Sequence, residues 1–224
     1  MKTTLIICCK NEDQSLASVI KKAKPFVHEI IVVDGHSQDS SLSIAKNSGA
    51  KVFTDNGKGK GAGIQLGIQK ASGDIIVFMD ADGSHKASDI PKLIAPIKHN
   101  DADLVIASRG KGGSDELHGE SEKTLRLIGS AIITQIINWR YGTRITDSQN
   151  GFRAIRTSVV KSLNLQENSF AIEQEMLMKA LHKHYRVSEI ASHELARKYG
   201  RSKISLYSMW WKYLWNLMQN CVTF

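Results

Sequence analysis

The sequence predicts an α/β protein with a mostly parallel central sheet and helices on both faces. Three observations point there. Apolar runs such as TLIICC, EIIVVD and DIIVFMD are continuous rather than alternating, the pattern of strands buried on both sides. Helix-length segments separate successive runs, as parallel neighbours require. The chain has 224 residues and 42% hydrophobic content, ample for one core.

Taken in order, TLIICC is the first strand. DQSLASVIKKAK is a helix, with Asp13 as its cap and Pro25 closing it. EIIVVD is the second strand, followed by the polar turn GHSQDSS and a short helix near 41–48. KVFTD is the third strand, GAGIQLGIQKA a helix and DIIVFMD the fourth strand. ASDIPKLIAPIKHN reads as a helix with Pro91 in its first turns and Pro96 placed to bend it. DLVIAS is the fifth strand. Beyond residue 109 the pattern loosens. A long polar loop, RGKGGSDELHGESE, leads to a helix near 121–140, a loop through TDSQNGFRA, a helix near 170–183 and a strand near 185–191. The basic loop ARKYGRSK follows. Residues 1–204 read as one domain and 205–224 as an aromatic-rich amphipathic helix.

The net charge of +8 points to anionic partners: phosphates, nucleic acid or a lipid headgroup surface. No nucleic-acid recognition motif accompanies it. Cys8, Cys9 and Cys221 provide neither a disulfide framework nor zinc-ligand spacing, which fits a reducing cytoplasm. The apolar part of the N-terminus is too short for a signal peptide, and no run approaches the ~18 apolar residues of a membrane span.

The chemistry collects where strands end. Ligands of open parallel sheets bind beyond the carboxyl ends of the strands. Asp80 and Asp82, in FMDADGSH, stand just after a strand; Asp101 and Asp103, in NDADLV, stand before one and read as a turn. Two carboxylates beyond a strand end suit Mg²⁺ or Mn²⁺ holding a diphosphate. A turn acid plus a helix cap is the alternative. Asn11, Glu12 and Asp34 share that edge, and NGKGKGAG offers glycine amides, lysines and a helix N-terminus to phosphate. Gly57, Gly59 and Ala62 also fit a loosened dinucleotide fingerprint, so a nicotinamide-dependent dehydrogenase is a distant rival.

The pieces CCKNE, VVDGHSQDSS, GKGAGIQLGIQKASGDIIVFMDADGSH, TDSQNGFRAI, FAIEQEMLMKA and RKYGRSK occur in one order. In that, the chain resembles family 2 glycosyltransferases from residue 3 to about 204, and among them the dolichyl-phosphate mannose or glucose synthases and their prokaryotic relatives. The resemblance implies the GT-A nucleotide-sugar fold. It implies that Asp34 contacts the base of the donor, that Asn11 and Glu12 line the nucleotide pocket near Lys60, and that Asp80 and Asp82 form the D-x-D pair with Asp82 on the metal. Glu175 matches an acidic position facing the reaction centre; Arg109, Arg197 and Lys203 match basic positions that handle phosphates. Asp147 and Gln149 fall on the acceptor side. Departures are Gly35 in place of a second acid, Ser84 in place of a glutamine, and a first motif without its usual proline and aromatic residue.

The expected reaction is transfer of a sugar from a GDP- or UDP-sugar to a polyprenyl or dolichyl phosphate. An anionic acceptor needs little deprotonation, so cations orient it: Arg109, Arg197, Arg201 and Lys203. Glu175 is then a positioning group; with a saccharide acceptor it would be the base, and a buried structural carboxylate is the third option. In the terminal helix, Ser208, Lys212, Asn216, Gln219 and Asn220 gather on one side, while Trp210, Trp211, Tyr213, Leu214, Trp215, Leu217 and Met218 cover most of the rest. That width suits a bilayer interface, giving a cytoplasmic protein held peripherally at the membrane. Docking on the domain, on a second copy or on a membrane partner is the alternative.

Overall fold

The computed structural model describes residues 1–115, 121–197, 199 and 206–222, with side chains for all of these except 121–126, 206–210, 221 and 222. The strands are β1 (Thr3–Cys9), β2 (Glu29–Asp34), β3 (Lys51–Thr54), β4 (Ile75–Asp80), β5 (Leu104–Ser108), β6 (Arg153–Arg156) and β7 (Val187–Ala191). They form one sheet in the order β3-β2-β1-β4-β6-β5-β7. All neighbours run parallel except β6, which lies antiparallel to both β4 and β5. The predicted α/β class with a mostly parallel sheet is what forms.

Side chains of successive strand residues point to opposite faces. Leu5 and Ile7 therefore enter one core, with α1 (Asp13–Ala23), α2 (Ser41–Asn47) and α4 (Ile90–Lys98). Ile6 enters the other, with α3 (Lys60–Lys70), α6 (Ser121–Tyr141), α7 (Thr157–Ser162), α8 (Ile172–His182) and α9 (Leu206–Val222). All three of these β1 side chains are buried, each stabilising the fold by about 1.5–3 kcal/mol. A four-residue helix, α5 (Arg109–Gly112), follows β5 directly.

Register aligns the functional edge. Cys9 pairs with Asp34, Cys8 with Asp80, and Asp34 with Thr54, so four strands end level. Asp103 lies at the opposite edge, where its carboxylate accepts from Arg186 (3.0 Å) and Arg156 (3.1 Å). It is an anchor between strands, in keeping with its place before β5.

Three details depart from the sequence reading. Residues 153–162 form β6 and α7 where a loop is expected. Asp13 is the first helical residue rather than a cap; Glu12 precedes it, with no side-chain cap bond. The terminal helix buries part of the side expected to be its polar one. Asn216 and Asn220 are buried, while Trp211, Trp215 and Met218 are 77%, 59% and 56% exposed. The cause is a polar network: Gln174 donates to the Tyr213 carbonyl (3.0 Å) and to Asn216 Oδ1 (3.2 Å), and Asn216 donates to Glu167 (3.3 Å). Buried amides need such partners, and α8 supplies them. No helix among the described residues is long and apolar enough to cross a membrane.

Candidate active site

Beyond the carboxyl ends of the strands lies a cavity of about 680 Å³. It runs from Cys8, Gly35 and Asp55 at the β1–β3 end, past Lys60, Asp80 and Asp82, to Arg109, Asp147 and Tyr213. At its centre Lys60 Nζ lies 2.7 Å from Asp80 Oδ1 and 2.9 Å from Glu173 Oε1. Burial disfavours the ammonium, but the two carboxylates outweigh it and hold the Lys60 pKa well above its ordinary value. Asp80 is pulled far the other way: burial is outweighed by Lys60 and by His85, whose Nε2 is 3.2 Å from Oδ2. Gly151 admits this cluster, because a Cβ there would stand 3.1 Å from both Asp80 Oδ2 and Lys60 Nζ.

Asp82 is engaged differently. Its Oδ1 accepts from the Ser84 backbone (3.0 Å) and hydroxyl (2.7 Å). Its Oδ2 accepts from Arg197 Nη2 at 2.7 Å, and Arg197 Nη1 reaches Glu12 Oε1 at 3.4 Å. A guanidinium thus stands as cation between the two acids. Oxygen donors with a cation between them suit a hard divalent ion whose remaining ligands come from substrate phosphates. No three His, Cys, Asp or Glu residues converge as a complete metal shell among the described residues. Arg197 thus contacts Asp82 and Glu12, while the Asp80 oxygens contact Lys60 and His85.

At the far end Asp147 grips Arg109 through Nε (2.7 Å) and Nη2 (2.9 Å), and Glu194 lies 3.7 Å from Nη1. Burial lowers the Asp147 charge's favour, but Arg109 outweighs it and keeps the carboxyl below its usual range. The segment TDSQNGFRA is a built structure. Asp147 Oδ1 accepts the Gln149 (3.3 Å) and Asn150 (3.1 Å) amides. The wholly buried Arg153 donates to the carbonyls of Asn150 (2.9 Å) and Glu173 (2.7 Å). That arginine ties this loop to α8.

The structure brings together Glu12, Lys60, Asp80, Asp82, Arg109, Asp147, Gln149 and Arg197 around one cavity. Arg201 and Lys203 lie outside the described residues. Three expected residues stand elsewhere. Asn11 ties two loops, its Oδ1 accepting from Gln38 N–H at 2.7 Å. Asp34 is buried beneath its own turn and accepts from Ser37 N–H (3.2 Å), away from the cavity wall. Glu175 points to the opposite side of α8, where it accepts the amides of Gln166 (3.0 Å) and Glu167 (2.9 Å) and pairs with Lys179 (2.7 Å). Glu173, two residues earlier, takes the cavity position. Its Oε2 accepts from no group among the described residues. The glycine loop also differs from expectation: the Gly61 amide is spent on the Asn168 carbonyl (2.9 Å), and a Cβ at Gly61 would meet the Glu167 carbonyl at 2.2 Å. That amide is thus spent within the chain, while Gly57, Gly59 and Lys60 still line the cavity.

These placements give separable outcomes. Glu173→Gln is expected to lower turnover about tenfold or more with little change in melting temperature. Glu175→Gln is expected to destabilise by about 1–3 kcal/mol with activity per folded molecule retained. Paired thermal melts and turnover rates on both variants check this.

A mostly parallel sheet here carries Asp80, Asp82 and Lys60 beyond its strand ends. The chain belongs to glycosyl transferase family 2, whose model matches residues 4–163. It is 32% identical over 218 residues to a dolichol-phosphate mannosyltransferase of Pyrococcus furiosus, covering 91% of this chain and 59% of that protein. It is 27% identical over 184 residues to the low-salt glycan biosynthesis hexosyltransferase Agl6 of Haloferax volcanii, covering 80% and 44%. The chain thus spans about half the length of these two relatives. Among solved structures it resembles glucosyl-3-phosphoglycerate synthase of Mycobacterium tuberculosis in complex with Mn²⁺, UDP and glucosyl-3-phosphoglycerate. The TM-score is 0.78 at 21% identity, over 98% of this chain and 80% of that one.

Proposed function

We propose that the protein transfers a sugar from a GDP- or UDP-sugar to a polyprenyl phosphate at a membrane surface. One observation carries this reading: Arg109 lines the cavity together with Leu127 of α6 and Tyr213 of α9. The same two helices expose Ile128, Ile132, Trp139, Trp211, Trp215 and Met218. A cation in a cavity walled by helices that carry exposed apolar side chains suits an acceptor with a phosphate head and a hydrocarbon tail. The names of the dolichol-phosphate relatives support the same acceptor class.

Asp82 and Glu12 would hold Mg²⁺ or Mn²⁺, which when bound neutralises the diphosphate leaving group. Lys60 holds the Asp80 and Glu173 carboxylates in place. Arg109, oriented by Asp147, presents a guanidinium edge to the acceptor phosphate, whose oxygen is already anionic and attacks the anomeric carbon without a base. Glu173 limits the approach of further anions and positions Lys60.

The test is transfer of radiolabelled sugar from a panel of UDP- and GDP-sugars with Mn²⁺. Three acceptors are compared: polyprenyl phosphate in micelles, a soluble phosphate-bearing acid and a free saccharide. Polyprenyl phosphate is expected to be preferred. Preference for either soluble acceptor would overturn the lipid reading and leave the glycosyltransferase assignment standing.

A further inference from the structure

Beyond β7 the chain forms part of the cavity wall as a strap, residues 192–197, and one histidine in it faces two acceptors at once. The strap is stitched to the segment that follows β5. The Ser192 amide donates to the Ser108 carbonyl (3.3 Å), the Glu194 amide to the Gly113 carbonyl (3.1 Å) and the Asp115 amide to the Glu194 carbonyl (2.8 Å). That segment opens with Arg109, and its Gly113 and Ser114 line the cavity together with Glu194. Gly113 has a φ of +88°, and a Cβ there would stand 2.9 Å from His193 Nδ1, so a glycine is what admits the imidazole.

His193 Nδ1 lies 2.9 Å from the Gly112 carbonyl oxygen, and Nε2 lies 2.8 Å from Asp115 Oδ1. A carbonyl and an ionised carboxylate only accept. A neutral imidazole has one N–H, so it serves one of them and turns a lone pair on the other. The imidazolium serves both. Moving the proton to Asp115 instead is disfavoured, because the His193 bond holds that carboxyl below its usual range. Two charged groups act on the ring: Asp115 favours the imidazolium and Lys86 opposes it. Glu194 spends its carboxylate on Ser114 (2.5 Å) and lies 3.7 Å from Arg109. The Gly112 carbonyl and then Asp115 prevail, and raise the His193 pKa.

Gly112 closes α5, whose first residue is Arg109. Asp147 grips the guanidinium of that arginine; His193 grips the far end of its turn. We propose that His193 is a positioning residue for the acceptor: as an imidazolium it holds Gly112 and Asp115 to the strap, and so fixes the turn that presents Arg109. The assignment rests on the reading of Arg109 as the acceptor's cation. Its pH sign follows. With the folded-state value raised, the clamp is complete below about 6.5 and loosens as pH rises through the folded value. The two side chains are 35% and 49% exposed, so the effect is graded rather than absolute.

Two measurements on the full chain test this. In the first, NMR of isotope-labelled imidazoles follows His193, whose signal is assigned by its loss in His193→Gln. The midpoint is expected above about 6.5 in wild type and lower in Asp115→Asn. The second is sugar transfer to polyprenyl phosphate in micelles from about pH 6 to about pH 9, with kcat and acceptor KM determined separately. Comparing variant with wild type at one pH cancels the titration of the acceptor phosphate. His193→Gln and Asp115→Asn are each expected to raise acceptor KM about three- to tenfold at about pH 6, to leave kcat within about twofold, and to converge with wild type near pH 9. A KM ratio that is the same at every pH, or a wild-type midpoint at or below about 6.5, overturns the His193 assignment alone. Should a soluble phosphate-bearing acid prove the better acceptor, the lipid reading falls, and the KM ratio measured with that acceptor decides His193. Unchanged acceptor KM and kcat in Arg109→Ala overturn the reading of Arg109, and this assignment with it.

Discussion

Asp82→Asn is expected to reduce sugar transfer by about a hundredfold or more and to abolish the Mn²⁺ dependence of nucleotide binding. The expectation follows from a division of labour within the D-x-D pair. Asp80 is held by Lys60 and His85, while Asp82 faces an exchangeable cation, Arg197. Loss of a metal–carboxylate bond removes several kcal/mol of leaving-group stabilisation, and ~1.4 kcal/mol is tenfold. The Ser84 contacts to Oδ1 can be kept by asparagine, so the fold should survive. Calorimetry of UDP or GDP with and without Mn²⁺ checks it; a retained metal effect would remove Asp82 from the metal site. Asp103→Asn is the control. The Arg186 bonds, ahead of burial and Arg156, hold the Asp103 carboxyl below its usual range. A depressed folded-state pKa stabilises above the unfolded value of about 3.9 and ceases to do so as pH falls through the folded value. Its loss should therefore lower the melting temperature at pH 7, do so less in acid, and leave the Mn²⁺ effect intact.

Arg109→Ala is expected to lower transfer to polyprenyl phosphate by about a hundredfold while changing donor affinity less than about threefold. Arg109 is a half-buried fork held in place by Asp147, and charge-assisted hydrogen bonds of this kind contribute roughly 1.5–3 kcal/mol each. Alanine also strands the Asp147 carboxylate, so melting temperature should fall and rates must be normalised to folded protein. Arg109→Lys separates the effects: it keeps the charge near Asp147 but not the two-pronged geometry, and should recover stability more than rate. A parallel collapse of donor affinity would move Arg109 to the nucleotide site. Unchanged transfer would reduce the Arg109–Asp147 pair to an internal brace.

Much of this site is legible in the sequence because strand ends are legible. Asp80, Asp82, Glu12 and Arg109 each follow an apolar run, and parallel register carries them to one edge. The same rule applies to Asp55, last residue of KVFTD; what it lacks is a neighbouring acid to draw attention. Glu173 and Glu175 are harder. Residues two apart on a helix differ by roughly 200°, so only one can face the cavity, and apolar periodicity normally says which. Here α8 is buried all round, with Ile172, Met176, Leu177 and Met178 on every side, and the phase is erased. β6 is hidden for a related reason. Its four residues, RAIR, carry two charges, and nothing local reveals that carbonyls of a loop and of α8 await the Arg153 guanidinium. Likewise the asparagines of α9 look like a wet face until α8 is placed beside them.

On the proposed reading, Arg197 would give the site an intramolecular rival for the metal. A guanidinium fastened to the chain beside Asp82 competes at an effective concentration that dilution cannot lower, of the order of millimolar or above for a short tether. A bare divalent ion must win that contest alone. An ion arriving with a diphosphate does not, because the diphosphate offers the displaced guanidinium a new anion. On that reading the resting site would be biased against free metal and towards the metal–nucleotide pair, so that loading the donor and turning Arg197 towards phosphate would become one event.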